Sequence, residues 1–182
     1  DFFSIWAELN TFYLVTGSDL PKLQEQMNGM EFYSSGIFTC CGNQFWQSDP
    51  AVHPKHCDLI YEKKFEPSTD LIEYLQEKLE KSNYPIKVGN HIEDRGSMVN
   101  FSIVGRDCTQ EQREEYYKWD NYNGERSDIS RAIGFRWPDL DAVIGGQISI
   151  DIYPKGNDKS QVLEHIEKLH RTGKIIFIGD GI

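Results

Sequence analysis

Residues Gly145–Lys159 read GGQISIDIYPKGNDK, and the first half of that stretch alternates strictly. Ile148, Ile150 and Ile152 fall on one side of a strand and Gln147, Ser149 and Asp151 on the other, because successive side chains of a strand point to opposite faces. A second segment, GSMVNFSIVGR (Gly96–Arg106), follows the same rule. Val99, Phe101 and Ile103 share one face, and Asn100, Ser102 and Arg106 share the other. Two such strands predict an antiparallel sheet with one apolar face and one face of amides, hydroxyls and a carboxylate. Alternation alone fits either a solvated face or a wall that binds a ligand.

Helices flank these strands. In STDLIEYLQEKLEKS, Leu71, Ile72, Leu75 and Leu79 make an apolar stripe, and Ser68 to Asp70 are available to cap it. CTQEQREEYYKWD carries a Thr109/Gln112 capping box, and a helical segment is expected over about 127–133. The two ends of the chain read differently. DFFSIWAEL reads as the tail of an amphipathic helix with no cap before it. FYLVTGSDLPKLQEQM then gives a short buried strand over 12–16, a turn, and a helix with Pro21 near its first turn. GIFTCCGNQFW is an apolar strand leading into a turn. The last 26 residues predict a helix with Val162, Leu163, Ile166 and Leu169 inward, then a buried strand over 175–178. Strand, turn and helix at both ends imply an α/β core, interrupted by an α+β layer whose helices lie on one face of an antiparallel sheet. The expected division is a partial α/β core over 1–52 and 155–182, with the α+β layer over 53–154.

The bulk properties restrict function. The chain has 182 residues and a net charge of −10, so nucleic acid and anionic membranes are not expected partners, and an anionic ligand needs a local cluster of cations. No apolar run reaches membrane-spanning length. Cys40, Cys41, Cys57 and Cys108 show no C-x-x-C spacing, and His53, His56 and Cys57 match no usual zinc site; reduced thiols and a cytosolic location are expected. Arg95, Arg106 and Arg113 supply the cations. Three guanidinium groups converging in an acidic protein make a phosphate clamp, and the hydroxyls and amides beside them suit a sugar. Ser18 follows a strand and opens a helix, where a hydroxyl and free N–H groups suit a phosphoryl oxygen. Lys159 begins another helix, and Asp180 ends a strand, where a carboxylate suits Mg²⁺.

The order of these residues resembles the eukaryotic-type phosphomannomutase family of the haloacid dehalogenase superfamily. The resemblance runs nearly end to end and is strongest in GSDLPKLQEQ, GRDCTQEQREEYYKWD and GGQISIDIYPKGNDK. It implies an incomplete Rossmann-like haloacid dehalogenase core with an inserted α+β cap. Arg95, Arg106 and Arg113 match cap arginines that hold the distal phosphate of a hexose phosphate, and Ser149 and Asp151 match cap residues that contact it. Gln147 and Asn100 share that face. Ser18 and Lys159 fall at the hydroxyl and lysine of the second and third core motifs, and Asp180 at the Mg²⁺ motif. The implied activity is the interconversion of mannose 6-phosphate and mannose 1-phosphate for GDP-mannose synthesis. It proceeds through an aspartyl-phosphate with Mg²⁺ and a hexose bisphosphate activator, in a homodimer formed through the cap. Two departures stand out. No Asp-x-Asp-Gly-Thr occurs in the 182 residues, so the sequence is expected to be a piece of a longer reading frame, inactive alone. Where relatives have Glu-Asn-Gly, this chain has Cys40-Cys41-Gly42. A sugar-phosphate phosphatase of the same superfamily and a non-catalytic sugar-phosphate-binding module are the alternatives.

Overall fold

Two four-stranded sheets organise the chain in this computed structural model, which describes residues 2–48, 56–170 and 173–179. The first sheet has the order β1 (Tyr13–Val15), β2 (Gly36–Thr39), β3 (Gln44–Ser48), β4 (Cys57–Glu62). β1 and β2 are parallel and joined through α2 (Leu20–Met27); β3 and β4 return antiparallel. Alternation sorts β2 between two layers. Ile37 packs with Leu20 and Leu23 of α2 on one side, and Phe38 packs with Phe45 and Val162 on the other, where α6 (Gln161–Leu169) lies. A sheet covered by helices on both faces is the α/β arrangement that the chain ends predict. α1 (Phe2–Leu9) precedes it.

The second sheet runs β5 (Ile92–Asp94), β6 (Val99–Ser102), β8 (Ser149–Pro154), β7 (Leu140–Gly145), antiparallel throughout. One cluster unites its apolar face with three helices. Val99, Phe101, Ile148, Ile150 and Ile152 meet Leu71, Tyr74 and Leu75 of α3 (Thr69–Lys81), Tyr116 of α4 (Gln110–Asn123), and Ile129 and Ile133 of α5 (Glu125–Arg136). Ser68 caps α3 through the Leu71 N–H, and the Thr109/Gln112 box at the start of α4 is fully formed; such caps are worth about 1 kcal/mol each.

A buried ion pair fixes the junction of α4 and α5. Arg126 Nε donates to Asp120 Oδ2 at 2.7 Å, the Arg126 backbone N–H donates to Asp120 Oδ1 at 2.8 Å, and Arg126 Nη1 reaches the carbonyl of Gly146 at 3.0 Å. This ties the helices to the β7–β8 turn.

Several expectations need correction. The strand carrying Ser149 and Asp151 begins at Ser149. Gln147 lies in a three-residue turn, 146–148, because Gly146 adopts φ +52° and reverses the chain from β7. Residues 175–178 form no strand and are exposed: no strand among the described residues pairs with them, and an apolar run without a pairing partner gains nothing from extended geometry. In α6, Val162 is buried as expected, but Leu163 and Leu169 face outward. Cys57–Glu62, which the sequence division places in the cap, pairs antiparallel with β3 and so joins the edge of the first sheet. Among the described residues no helix is long and apolar enough to cross a membrane.

Candidate active site between the two sheets

Register lines up the polar residues of the second sheet. Glu93, Asn100 and Asp151 lie opposite one another across β5, β6 and β8, and Ser102 lies opposite Ser149. Opposed residues in antiparallel strands share a face. That face is not solvated: Asn100 is 3%, Ser102 1% and Ser149 5% exposed. Asn100 Nδ2 donates to Asp151 Oδ1 at 2.6 Å, so the carboxylate fixes the orientation of the amide. The other end of that amide, Asn100 Oδ1, is buried and meets no donor among the described residues.

Asp151 points at the first sheet. A Cβ on Gly145 would fall 2.6 Å from Asp151 Oδ2, so only glycine leaves room for the carboxylate there. A Cβ on Gly17 would lie 3.5 Å from the same oxygen and 3.6 Å from Cys41 Sγ, which places the end of β1 beside Asp151. Burial pushes the Asp151 carboxyl above the ordinary range, against the Asn100 hydrogen bond and the charges of Arg95, Arg106 and Lys159, which pull it down.

The first sheet's contribution is a strained turn. Cys40, Cys41 and Gly42 are consecutive left-handed residues, with φ +50°, +60° and +89°. A non-glycine residue there costs on the order of 1 kcal/mol or more, so the surroundings must over-determine it. They do. The Cys40 and Cys41 N–H groups donate to the carbonyls of Ser18 and Thr16, both at 2.9 Å, and Asn43 and Gln161 side chains donate to the carbonyls of Cys40 and Cys41. One turn therefore ties the loop after β1 to the start of α6, bringing Ser18 and Lys159 to the same end of the sheet. Asp19, not Ser18, caps α2: Asp19 Oδ1 accepts the Lys22 N–H at 3.0 Å, because that carboxylate sits one residue closer to the free N–H groups. Lys159 is exposed, in the turn just before α6, whose N-cap is Ser160.

Asp19, Pro21, Lys22 and Glu25 on one side, and Glu93, Arg95 and Arg106 on the other, line a cleft of about 240 Å³. Arg106 Nη1 donates to Ser149 Oγ at 3.1 Å. Arg95 Nη1 donates to the carbonyl of Gly17 at 3.1 Å, bridging the two sheets. Arg113, in the first turn of α4, is not among the lining residues, and its guanidinium makes no bond among the described residues. Asp180 lies outside the described residues. Among those described, no three His, Cys, Asp or Glu side chains converge to hold a metal ion, so they do not by themselves form a Mg²⁺ site.

Sequence reasoning missed Glu93 and Arg126. Glu93 could have been found from its parity with Arg95 in IEDR; Arg126 carries no local signal, since its partners lie 6 and 20 residues away.

Comparisons with known proteins agree with this arrangement. Two solved structures share the fold at a TM-score of 0.55. One is a haloacid dehalogenase-like hydrolase from Bacteroides thetaiotaomicron, 11% identical, covering 92% of this chain and 66% of that one. The other is the C-terminal domain of the Candida albicans trehalose synthase regulatory protein, 13% identical, covering 88% and 49%. At such identities the likeness is of fold alone. The phosphomannomutase of Drosophila melanogaster is 33% identical over 172 residues, 93% of this chain and 68% of that protein. That of Encephalitozoon cuniculi is 36% identical over 171 residues, 91% and 65%. The chain thus spans about two thirds of the length of these relatives. The family model described as eukaryotic phosphomannomutase matches residues 2–182. The chain belongs to the eukaryotic phosphomannomutase family of enzymes, on a haloacid dehalogenase fold.

Proposed function

We propose that the complete protein interconverts mannose 6-phosphate and mannose 1-phosphate, and that this chain supplies the walls that hold the sugar phosphate. The observation that carries the reading is the covered polar face of the second sheet. Asn100 Oδ1 is a buried acceptor without a donor among the described residues, beside a carboxylate, and Arg106 on Ser149 lies on the same side. An acceptor left unmatched costs about 1–3 kcal/mol, and a sugar hydroxyl supplies the missing donor while its other lone pairs accept. The Arg106 guanidinium suits phosphate oxygens.

The proposed division of labour makes residues 64–154 the cap and the first sheet with α6 the core. Arg106 and Arg113 take the phosphate remote from the reaction, Arg95 joins cap to core, and Asn100, Ser149 and Asp151 take hydroxyls, with Gln147 at the mouth of the turn. Ser18 and Lys159 hold the transferring phosphoryl group, whose developing negative charge a lysine and a hydroxyl stabilise. The nucleophilic aspartate is assigned to a part of the complete protein outside these 182 residues, which contain no Asp-x-Asp-Gly-Thr. Magnesium at Asp180, a hexose bisphosphate activator, a cap-mediated homodimer and a cytosolic role in GDP-mannose supply follow from the family resemblance. The four free cysteines fit a reducing compartment.

The test is to incubate the complete protein with mannose 1-phosphate, Mg²⁺ and a hexose bisphosphate. Mannose 6-phosphate as the main product is the expected result. Free phosphate in its place would make the protein a phosphatase.

A further inference from the structure

The cations of the cleft are already spoken for. Arg95 is 5% exposed, and Glu93 Oε2 accepts from both its Nε, at 3.0 Å, and its Nη2, at 2.5 Å, while Nη1 is spent on the carbonyl of Gly17. Three of its five N–H donors are thus engaged within the protein, and its burial leaves little of the guanidinium open to a ligand. Arg106 differs. It is 20% exposed, its Nη1 rests on Ser149, and its Nε is 3.7 Å from the same Glu93 oxygen, a contact too long for a hydrogen bond. Across the cleft, Lys22 Nζ is held by Glu25 at 2.7 Å. The cleft wall therefore carries three acids, Asp19, Glu25 and Glu93, against three bases, Lys22, Arg95 and Arg106. Its charges cancel, in a protein whose net charge is −10. The excess of cations that an anion site needs is absent because one carboxylate serves two arginines.

We propose that Glu93 is a positioning residue that sets how strongly the cleft grips an anion: it fixes Arg95 between the two sheets and yields Arg106 to an incoming phosphate by exchange. The inference rests on the sugar-phosphate reading of the cleft. Its logic is partner exchange. A phosphate that reaches Arg106 gains a guanidinium but must settle beside the Glu93 carboxylate, and that repulsion holds affinity down. A ligand that has to leave, or turn, between steps benefits from a grip limited in this way, because tight ground-state binding slows release without helping the reaction.

The experiment is a calorimetric titration of the 182-residue chain with inorganic phosphate, comparing the parent with Glu93→Gln and Glu93→Asp. Glu93→Gln keeps an acceptor for Arg95 and removes the charge. It should bind phosphate about three- to tenfold more tightly at low salt, with the gain shrinking as salt is added. Glu93→Asp, which retains the charge, should show no gain. Tightening cannot come from a loosened fold, so it separates this role from a merely structural one. Equal or weaker binding by Glu93→Gln overturns the proposal while leaving the sugar-phosphate reading in place, provided that the parent binds. A parent that binds no phosphate overturns both. If Glu93→Gln does not fold, the parent alone decides through NMR of its arginine Nε–H groups during the titration. Arg106 should shift and Arg95 stay fixed; a shifting Arg95 or a stationary Arg106 overturns the proposal.

Discussion

Strands β2 and β6 are both buried along their whole length, yet they bury opposite kinds of surface. β2 sends Ile37 to α2 and Phe38 toward α6, apolar in both directions. β6 sends Val99 and Phe101 into the helices and Asn100 and Ser102 into an equally covered space. The first arrangement is what the hydrophobic effect builds unaided. The second works against it, since covering amides and hydroxyls is favourable only where partners wait for them. Covered polarity, more than polarity itself, separates the proposed binding wall from a solvated sheet face.

Four substitutions test that contrast. The largest effect belongs to Arg126→Ala, which leaves the Asp120 carboxylate buried without its partner and frees the Gly146 carbonyl. Breaking a buried pair this way costs about 3–5 kcal/mol, readable as a lower urea midpoint. A loss below about 1 kcal/mol would mean that the second sheet does not depend on this tie. Next comes Arg106→Ala, expected to weaken mannose 6-phosphate binding by about 1.5–3 kcal/mol in a calorimetric titration, with Arg113→Ala tested alongside. Unchanged affinity would remove either residue from the site.

The smallest effect has the opposite sign. Burial raises the Asp151 carboxyl in the folded protein, so folding favours its protonated form. That contribution is complete below the ordinary carboxylate pKa of about 4 and is lost as pH rises through the raised folded value. Asp151→Asn should therefore melt at a higher temperature than the parent at pH 7, with the advantage fading toward pH 4, while binding sugar phosphate less well. A melting temperature that is unchanged at both pH values would show that the carboxylate is not strained by its covering.

Much of this was legible because local rules and tertiary structure agree. The alternation of Val99–Ile103 and Ile148–Ile152 predicts the apolar face, and the Thr109/Gln112 spacing predicts a cap that forms as written. Gln147 misled because the alternation continues through a turn, where Gly146 and not the pattern decides direction. Residues 175–178 misled because an apolar run specifies extended chain but not the neighbour that makes it a strand. Glu93 went unseen for a related reason. Counting arginines finds the cations, but only the cross-strand register shows which carboxylate neutralises them.

The left-handed Cys40-Cys41 turn has a practical consequence. Its two sulfurs pack with Met98 and Tyr153 from the other sheet, and burial pushes the thiols up to about 11 and about 12. Alkylating reagents attack the thiolate, so both cysteines stay inert while the sheets remain together. Their slow labelling by a maleimide, read by mass spectrometry after the half-exposed Cys108 has reacted, becomes a built-in clock for how often the cap lifts from the core.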